Sequence, residues 1–307
     1  MREAFVEALT EMAERGEAVY VLAADTGFHV LDRFRARFPE RYLNVGISEA
    51  AMIGVAAGLA QERKRVFCYG IVPFVTMRCF EQIRVDLCYP CLPVTIVGVG
   101  GGLTYGPAGA THHAIEDVAV LSALPNMTIV CPGDPLETKA AAEACVSLTG
   151  PCYLRLGKSG EPVIHTDGIR SFRIGKGIRV REGSEIGILA TGTMLETAVR
   201  AAELLEKEGR RPEVVSMHTL KPIDRPLITD LAGRCRTLVT VEEHSHIGGL
   251  GATVAGAIAD LGLDVRFERF ALPDAYAHEA GSQEYFRRKS GLTAEQIVSR
   301  VQGESHV

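Results

Sequence analysis

The sequence contains no apolar run of about 18 residues free of charge, so no membrane span is expected. It contains no basic block either. Its net charge is -5, with both signs interspersed, which sets nucleic acid aside as a partner. There is no internal repeat and no low-complexity tract. Met1-Arg-Glu-Ala-Phe-Val-Glu is amphipathic and carries acids, unlike a signal peptide. Disulfides are unnecessary in a chain of 307 residues, and its eight cysteines are scattered. Cys68, Cys79, Cys131 and Cys145 lie in apolar contexts and read as reduced core residues. Cys88-Tyr-Pro-Cys91 has redox-like or zinc-like spacing, but no second pair completes a metal site. The expected compartment is the cytoplasm.

What is present is an apolar content of 47%, ample for buried cores, and a length that suggests two domains. Helical periodicity over Arg2 to Arg15 gives way to a strand-like run, Ala18 to Ala23, ending at Asp25-Thr-Gly27. Val66 to Tyr69, Val94 to Val99, Thr128 to Val130 and Cys152 to Leu156 read as strands. Met52 to Gln61, Phe74 to Leu87, Ile115 to Ser122 and Pro135 to Leu148 read as helices. Gly157 to Arg173 is polar, aperiodic and punctuated by Gly160, Pro162 and Gly168, as linkers are. Beyond it the alternation resumes, with strands at Ile186 to Thr191, Glu213 to Ser216, Leu238 to Val241 and Val265 to Phe270. Helices are expected at Met194 to Glu208 and Gly249 to Leu261. The fold class is therefore α/β, with mostly parallel sheets covered on both faces. The domains are residues 1–165 and 166–307, and the tail from Gly303 is expected to fray.

One acid stands out. Asn44-Val-Gly-Ile-Ser-Glu-Ala-Ala-Met52 places Glu49 at the start of a small-residue helix, among Val45, Ile47, Met52 and Ile53. A carboxyl at such a strand-to-helix turn is poorly hydrated, and groups of this kind concentrate at functional sites. The alternative is that Ser48 caps the helix and Glu49 complements its dipole.

Further segments join this one: Phe74 to Arg84, Gly106-Pro-Ala-Gly-Ala-Thr-His-His-Ala-Ile-Glu116, Leu124 to Glu137, Pro151-Cys-Tyr-Leu-Arg155 and Val239 to Gly251. In order and spacing, the set resembles the transketolase family over nearly the whole chain, but over only half the family's usual length. It looks like the C-terminal half, made as a separate subunit, and is also similar to β subunits of 2-oxo-acid dehydrogenases. The resemblance implies a pyrimidine-binding parallel-sheet domain followed by a smaller α/β transketolase C-terminal domain. It also implies thiamine diphosphate as cofactor.

By the same resemblance, Glu49 matches the glutamate that shares a proton with the cofactor's pyrimidine ring. Phe74 is the expected stacking aromatic, with Tyr69 in reserve, and a core role stays open for Phe74. Asp25 matches an acid near the cofactor, or is simply a turn residue. His112 keeps a family position within reach of substrate or cofactor, and His is the usual proton carrier near neutral pH. Arg155 and Arg2 match arginines that face substrate phosphate, a task suited to the planar guanidinium. Arg78 and Arg84 are expected to hold the helix or a subunit interface, with Glu81 paired to one of them. The loop departs from the family at Gly100 and Ala108, where a histidine and an aspartate recognise substrate hydroxyls. Tyr105 is expected to fill part of that space. His113 replaces a glutamine.

In Glu242-Glu-His244-Ser-His246 the spacing offers a zinc reading. Gly248, Gly249 and Gly251 offer close strand–helix packing instead. The family's magnesium segment, Gly-Asp-Gly with a downstream Asn, is absent; Gly133-Asp-Pro135 is a strand-exit turn. A second, N-terminal subunit is therefore expected to bring magnesium and the diphosphate clamp, in an α2β2 assembly with the active site at the interface. The leading reading is transfer of a two-carbon ketol unit from a ketose to an aldehyde. The alternatives are a 2-oxo-acid decarboxylating component and a non-catalytic regulatory subunit.

Overall fold

Runs of β-branched and apolar residues separated by helices assemble into two sheets. The computed structural model describes residues 1–303; residues 304–307, in the tail expected to fray, lie outside the described residues. The first sheet uses β1 (Val19–Ala23), β2 (Tyr42–Asn44), β3 (Arg65–Ile71), β4 (Val94–Val99), β5 (Thr128–Val130) and β6 (Cys152–Leu156). The second uses β7 (Ile178–Arg181), β8 (Ile186–Ala190), β9 (Pro212–Ser216), β11 (Thr237–Ser245) and β12 (Arg266–Leu272). Between β9 and β11 in sequence lies β10 (Thr219–Lys221), which crosses back and completes the first sheet.

The strand orders are β10-β5-β6-β4-β3-β1-β2 and β12-β11-β8-β9-β7. Pairing is parallel except at two edges, β10 against β5 and β7 against β9. The helices Arg2–Glu14 and Pro135–Val146 cover one face of the first sheet through Phe5, Leu9, Met12, Ala141 and Ala142. On the other face, Met52, Ile53, Ile83 and Leu87 share a continuous core with Met217, Leu220, Leu231 and Leu250 of the second unit. The two sheets are thus joined by a strand and by a common core.

Helix ends follow their sequences. Pro135 opens its helix behind Asp134, whose side chain accepts the Glu137 N–H. The expected helix Phe74 to Leu87 is instead broken into Val72–Thr76, Phe80–Gln82 and a π-helical turn, Ile83–Cys88. Ser48 holds the N-cap position of the helix Glu49–Gln61, but its side chain makes no cap bond. That helix buries Met52, Ile53, Ala56, Ala57 and Ala60. It turns Ala51, Gly54, Val55 and Gly58 outward. No helix among the described residues is long and apolar enough to cross a membrane.

Candidate active site at the C-terminal edge of the first sheet

Because the first sheet's central strands run parallel, the segments that leave their C-terminal ends meet along one edge, where ligands bind in such sheets. Asp25 follows β1, in the left-handed region at φ 50°. Its N–H donates to Asn44 Oδ1 at 3.0 Å, and Asn44 Nδ2 donates to Asp25 Oδ1 at 3.3 Å. Asn44 Oδ1 also accepts the Gly46 N–H at 3.0 Å. Asn44, which carries no signal beyond its turn-like type, thereby ties the exits of β1 and β2 together and sets the turn leading to Glu49.

Glu49 is only 3% exposed. Ile47, just ahead of it in sequence, is 76% exposed, so the carboxylate is shielded by the inner side of its own helix rather than by the whole apolar run. Arg78 Nη1 donates to Glu49 Oε2 at 3.0 Å. The same guanidinium lies over the Phe74 ring, 4.4 Å from its centroid. Arg78 was expected to serve the helix or an interface; it joins the site instead, and Glu81 pairs with Arg84 at 3.8 Å. A planar, hydrogen-bond-donating cation is thus held against both an aromatic face and a buried carboxylate.

Phe74 touches the loop as well. Its ring meets His112 edge-on, with centroids 5.2 Å apart, and His112 lies 6.0 Å from Tyr105. Thr111 Oγ1 is 3.0 Å from His112 Nδ1. Tyr105 occupies the space over Gly100, and Lys158 Nζ stands 4.7 Å from the Tyr105 ring centroid. Arg2 donates to the Lys158 carbonyl, which places it near the Tyr105 end of the site. Burial pushes the Tyr105 phenol above its usual range, against the opposing pull of Arg2. Lys158 was missed, since a lysine in a Gly-rich segment has no pattern of its own. Glu49, Phe74, Arg78, His112, Tyr105 and Lys158 thus form one connected row, with Asp25 at its β1 end.

Two expected site residues sit deeper, in the interior behind this row. Arg155 is 7% exposed and locked in the interior. Its Nε donates to Asp117 Oδ2 at 2.8 Å, and its Nη2 to the carbonyls of Ala114 at 2.8 Å and Glu243 at 3.2 Å. Its Nε and Nη2 are thus engaged by Asp117 and two backbone carbonyls, which gives Arg155 a structural ion-pair role. Tyr153 donates to the same Asp117 oxygen at 2.5 Å. Burial alone would raise the Asp117 carboxyl, but Arg155 and then His244 hold it below the usual range. Tyr69 is 2% exposed and its ring is stacked on Phe5 with centroids 6.2 Å apart, while its phenol meets Arg2 beneath the Tyr105 end of the site. Burial pushes its phenol up to about 12.

The Glu242 to His246 segment is committed to packing. Glu242 accepts the N–H groups of Leu250 at 2.6 Å and Gly251 at 2.7 Å, capping the helix Leu250–Leu261. Among the described residues, no group of three or more His, Cys, Asp or Glu is arranged to hold a metal ion. His113 is buried against Phe286 and makes a 3.1 Å contact from Nε2 to the Gly106 carbonyl.

Residues 1–161 match the pattern of the transketolase pyrimidine-binding domain, and residues 175–297 that of the transketolase C-terminal domain. A putative transketolase C-terminal section from Methanocaldococcus jannaschii is 37% identical, covering 99% of this chain and 96% of that protein. One of the subunits of an apulose-4-phosphate transketolase from Phocaeicola vulgatus is 34% identical over 93% of this chain and 91% of its own length. A solved structure described as a split gene transketolase, inactive beta4 tetramer, superimposes with a TM-score of 0.91 at 38% identity. The superposition covers 99% of this chain and 97% of that one.

Proposed function

This chain belongs to the transketolase family and is a transketolase-type transferase chain; from that premise we propose that it is the C-terminal subunit of a two-subunit, thiamine diphosphate-dependent transketolase. It transfers a two-carbon ketol unit from a phosphorylated ketose to an aldehyde. The observation that carries this reading is the joint contact of Arg78 with the buried Glu49 carboxylate and the Phe74 face. That arrangement suits an aminopyrimidine, which is flat and offers donors.

When bound, thiamine diphosphate supplies a nucleophilic carbon that attacks a carbonyl. Glu49 holds the shared proton at the pyrimidine ring nitrogen, and Phe74 supports that ring. His112, between Phe74 and Tyr105, serves the substrate oxygens as a proton carrier. Asp25 and Asn44 shape the β1 and β2 end of the site. Lys158 and Arg2 supply positive charge for a substrate phosphate, replacing Arg155 in that role. The ketose differs from the standard pentose and hexose phosphates, because Tyr105 stands where hydroxyl-binding groups are expected. A site without polar partners for a hydroxyl selects against polyhydroxylated substrates.

The Gly-Asp-Gly segment with its downstream Asn is missing from the sequence, and this supports assigning the magnesium and the diphosphate clamp to a partner subunit in an α2β2 assembly. Support comes from the apolar surface beside Glu49: Leu43 is 46%, Ile47 76% and Val55 39% exposed. The related split-gene structure, described as an inactive beta4 tetramer, agrees with a need for that second chain. All eight cysteines are free, as suits the cytoplasm.

The test is co-expression with a partner carrying the Gly-Asp-Gly and Asn segment, followed by assays of ketol transfer from phosphorylated ketoses. Turnover by the complex, lost in Glu49→Ala with assembly and cofactor retained, supports the proposal. Carbon dioxide release from pyruvate-like acids would replace it with the 2-oxo-acid reading, which the apolar filling over Gly100 favours. Undiminished turnover in Glu49→Ala would rule out the role given to Glu49. An assembled complex with neither activity would favour a regulatory subunit.

A further inference from the structure

The loop between β4 and the helix Asp117–Ser122 carries both Tyr105 and His112, yet it is held largely by the second unit. Glu243, on β11, is 2% exposed. Its Oε1 accepts the Leu103 N–H at 2.5 Å. Gln283 Nε2 donates to both carboxylate oxygens, at 2.9 and 3.0 Å, and lies 3.2 Å from Thr104 Oγ1. Thr104 Oγ1 in turn donates to the Gly101 carbonyl at 2.6 Å. Arg287 closes the ion pair with Glu243 and anchors itself on Thr193 Oγ1 at 2.8 Å. The loop meets this carboxylate so closely that a Cβ on Gly102, at φ +68°, would lie 2.6 Å from Glu243 Oε1. The loop's two ends are pinned together by reciprocal 2.8 Å bonds between Gly102 and Ala114. Arg155 bridges the Ala114 and Glu243 carbonyls.

A buried carboxylate with an N–H, an amide and a guanidinium on it is fully satisfied, and it has one low-energy arrangement. Removing its charge leaves the half-buried Arg287 without its partner and frees Leu103, two residues before Tyr105. We infer that Glu243 is a positioning residue for the reaction: through Leu103, Gln283 and Arg287, the second unit sets the loop that places Tyr105 and His112 against Phe74. The inference deepens the transketolase reading and rests on it for its kinetic consequence. The clamp itself is testable without that reading.

The experiment uses the full chain assembled with its partner and thiamine diphosphate, as wild type, Glu243→Gln and Gln283→Ala. Glu213→Gln serves as a control that disturbs a different buried acid, one paired with Arg179 at 2.7 Å and Arg234 at 2.9 Å. Hydrogen exchange is followed over residues 101–114, alongside melting temperature, kcat and donor KM. Glu243→Gln is expected to speed exchange in this loop by about tenfold, Gln283→Ala by less, and Glu213→Gln not at all. Donor kcat/KM should fall by one to two orders of magnitude in Glu243→Gln, as misplacement by about 1 Å does, with cofactor affinity unchanged. It should stay near wild type in Glu213→Gln even if that variant melts at a lower temperature. Loop exchange unchanged in Glu243→Gln, or raised equally across the second unit, overturns the clamp. A loosened loop with wild-type kcat/KM overturns the positioning role. If wild type transfers no ketol unit, the functional reading fails, and the exchange data still decide the clamp.

Discussion

The Tyr105 ring lies directly over Gly100, so closely that a Cβ at residue 100 would sit 2.1 Å from it. Gly100 is also at φ +84°, a conformation that strains any other residue. Gly100→Ala should therefore push the ring aside and lower the melting temperature. Tyr105→Ala should leave stability nearly unchanged and open the site. Its expected signature is a kcat/KM for hydroxyl-rich ketose phosphates raised relative to the native donor. Steady-state comparison of two donors differing in hydroxyl count checks this; an unaltered ratio would remove Tyr105 as a selector.

The Asp117–Arg155 pair should behave as structure, not as substrate recognition. Breaking a buried pair leaves one charge uncompensated and costs about 3–5 kcal/mol. Asp117→Asn and Arg155→Met should each lower unfolding stability on that scale in denaturant titrations. Lys158→Met should instead leave stability intact and raise KM for phosphorylated donors over unphosphorylated ones. A selective KM effect from Arg155→Met, with normal stability, would restore Arg155 to the site.

On the proposed reading, Arg78 and the cofactor's pyrimidine would compete for the same partners, Glu49 and Phe74. Arg78→Met should keep thiamine diphosphate affinity at least equal to wild type, measured by calorimetry on the assembled complex. Glu49→Gln should lose turnover by about 10²–10⁴-fold, the usual range for a proton-transfer residue. Marked loss of cofactor binding in Arg78→Met would mean that the guanidinium belongs to the bound state.

Glu242 gives a pH signature. Burial pushes its carboxyl from 4.5 up to about 7, outweighing the Gly251 and Leu250 N–H donors. Between those values the folded chain keeps a proton that the unfolded chain has lost. The contribution to stability is thus full below about 4.5 and declines as pH rises towards 7. Glu242→Gln cannot titrate. From pH 5 to pH 8 its unfolding free energy should gain on wild type by more than about 1 kcal/mol. A constant gap would show that the two N–H donors keep Glu242 ionised throughout.

Central strands were legible in the sequence because burial on both faces leaves unbroken apolar runs. Val94–Val99, Thr128–Val130 and Cys152–Leu156 have the bounds expected of them. The edge strands β7 and β10 were not, being short and defined by a partner rather than by a pattern of their own. The segment from Phe74 spaces its apolar residues as a helix does, so its periodicity hid the break before Phe80. In the site, Glu49, Phe74 and His112 stood in local motifs, and the structure brings them together. The pairing of Arg155 with Asp117 was not legible, because the partner lies 38 positions away and no spacing rule marks a buried ion pair. Arg78, Asn44 and Glu243 act through contacts between distant segments, which a single sequence does not display.

β10 makes the division at residue 165 a poor place to cut. Thr219–Lys221 supplies the terminal strand beside Thr128–Val130, and Lys221 Nζ reaches the carbonyls of Ser122 at 2.8 Å and Leu124 at 2.6 Å. A fragment ending at the linker would bare the β5 edge, an open template for pairing with other chains. Its partner fragment would expose the apolar side of Met217, Leu220 and Leu250. The two sequence domains share a sheet and a core, and they are expected to unfold together in denaturant.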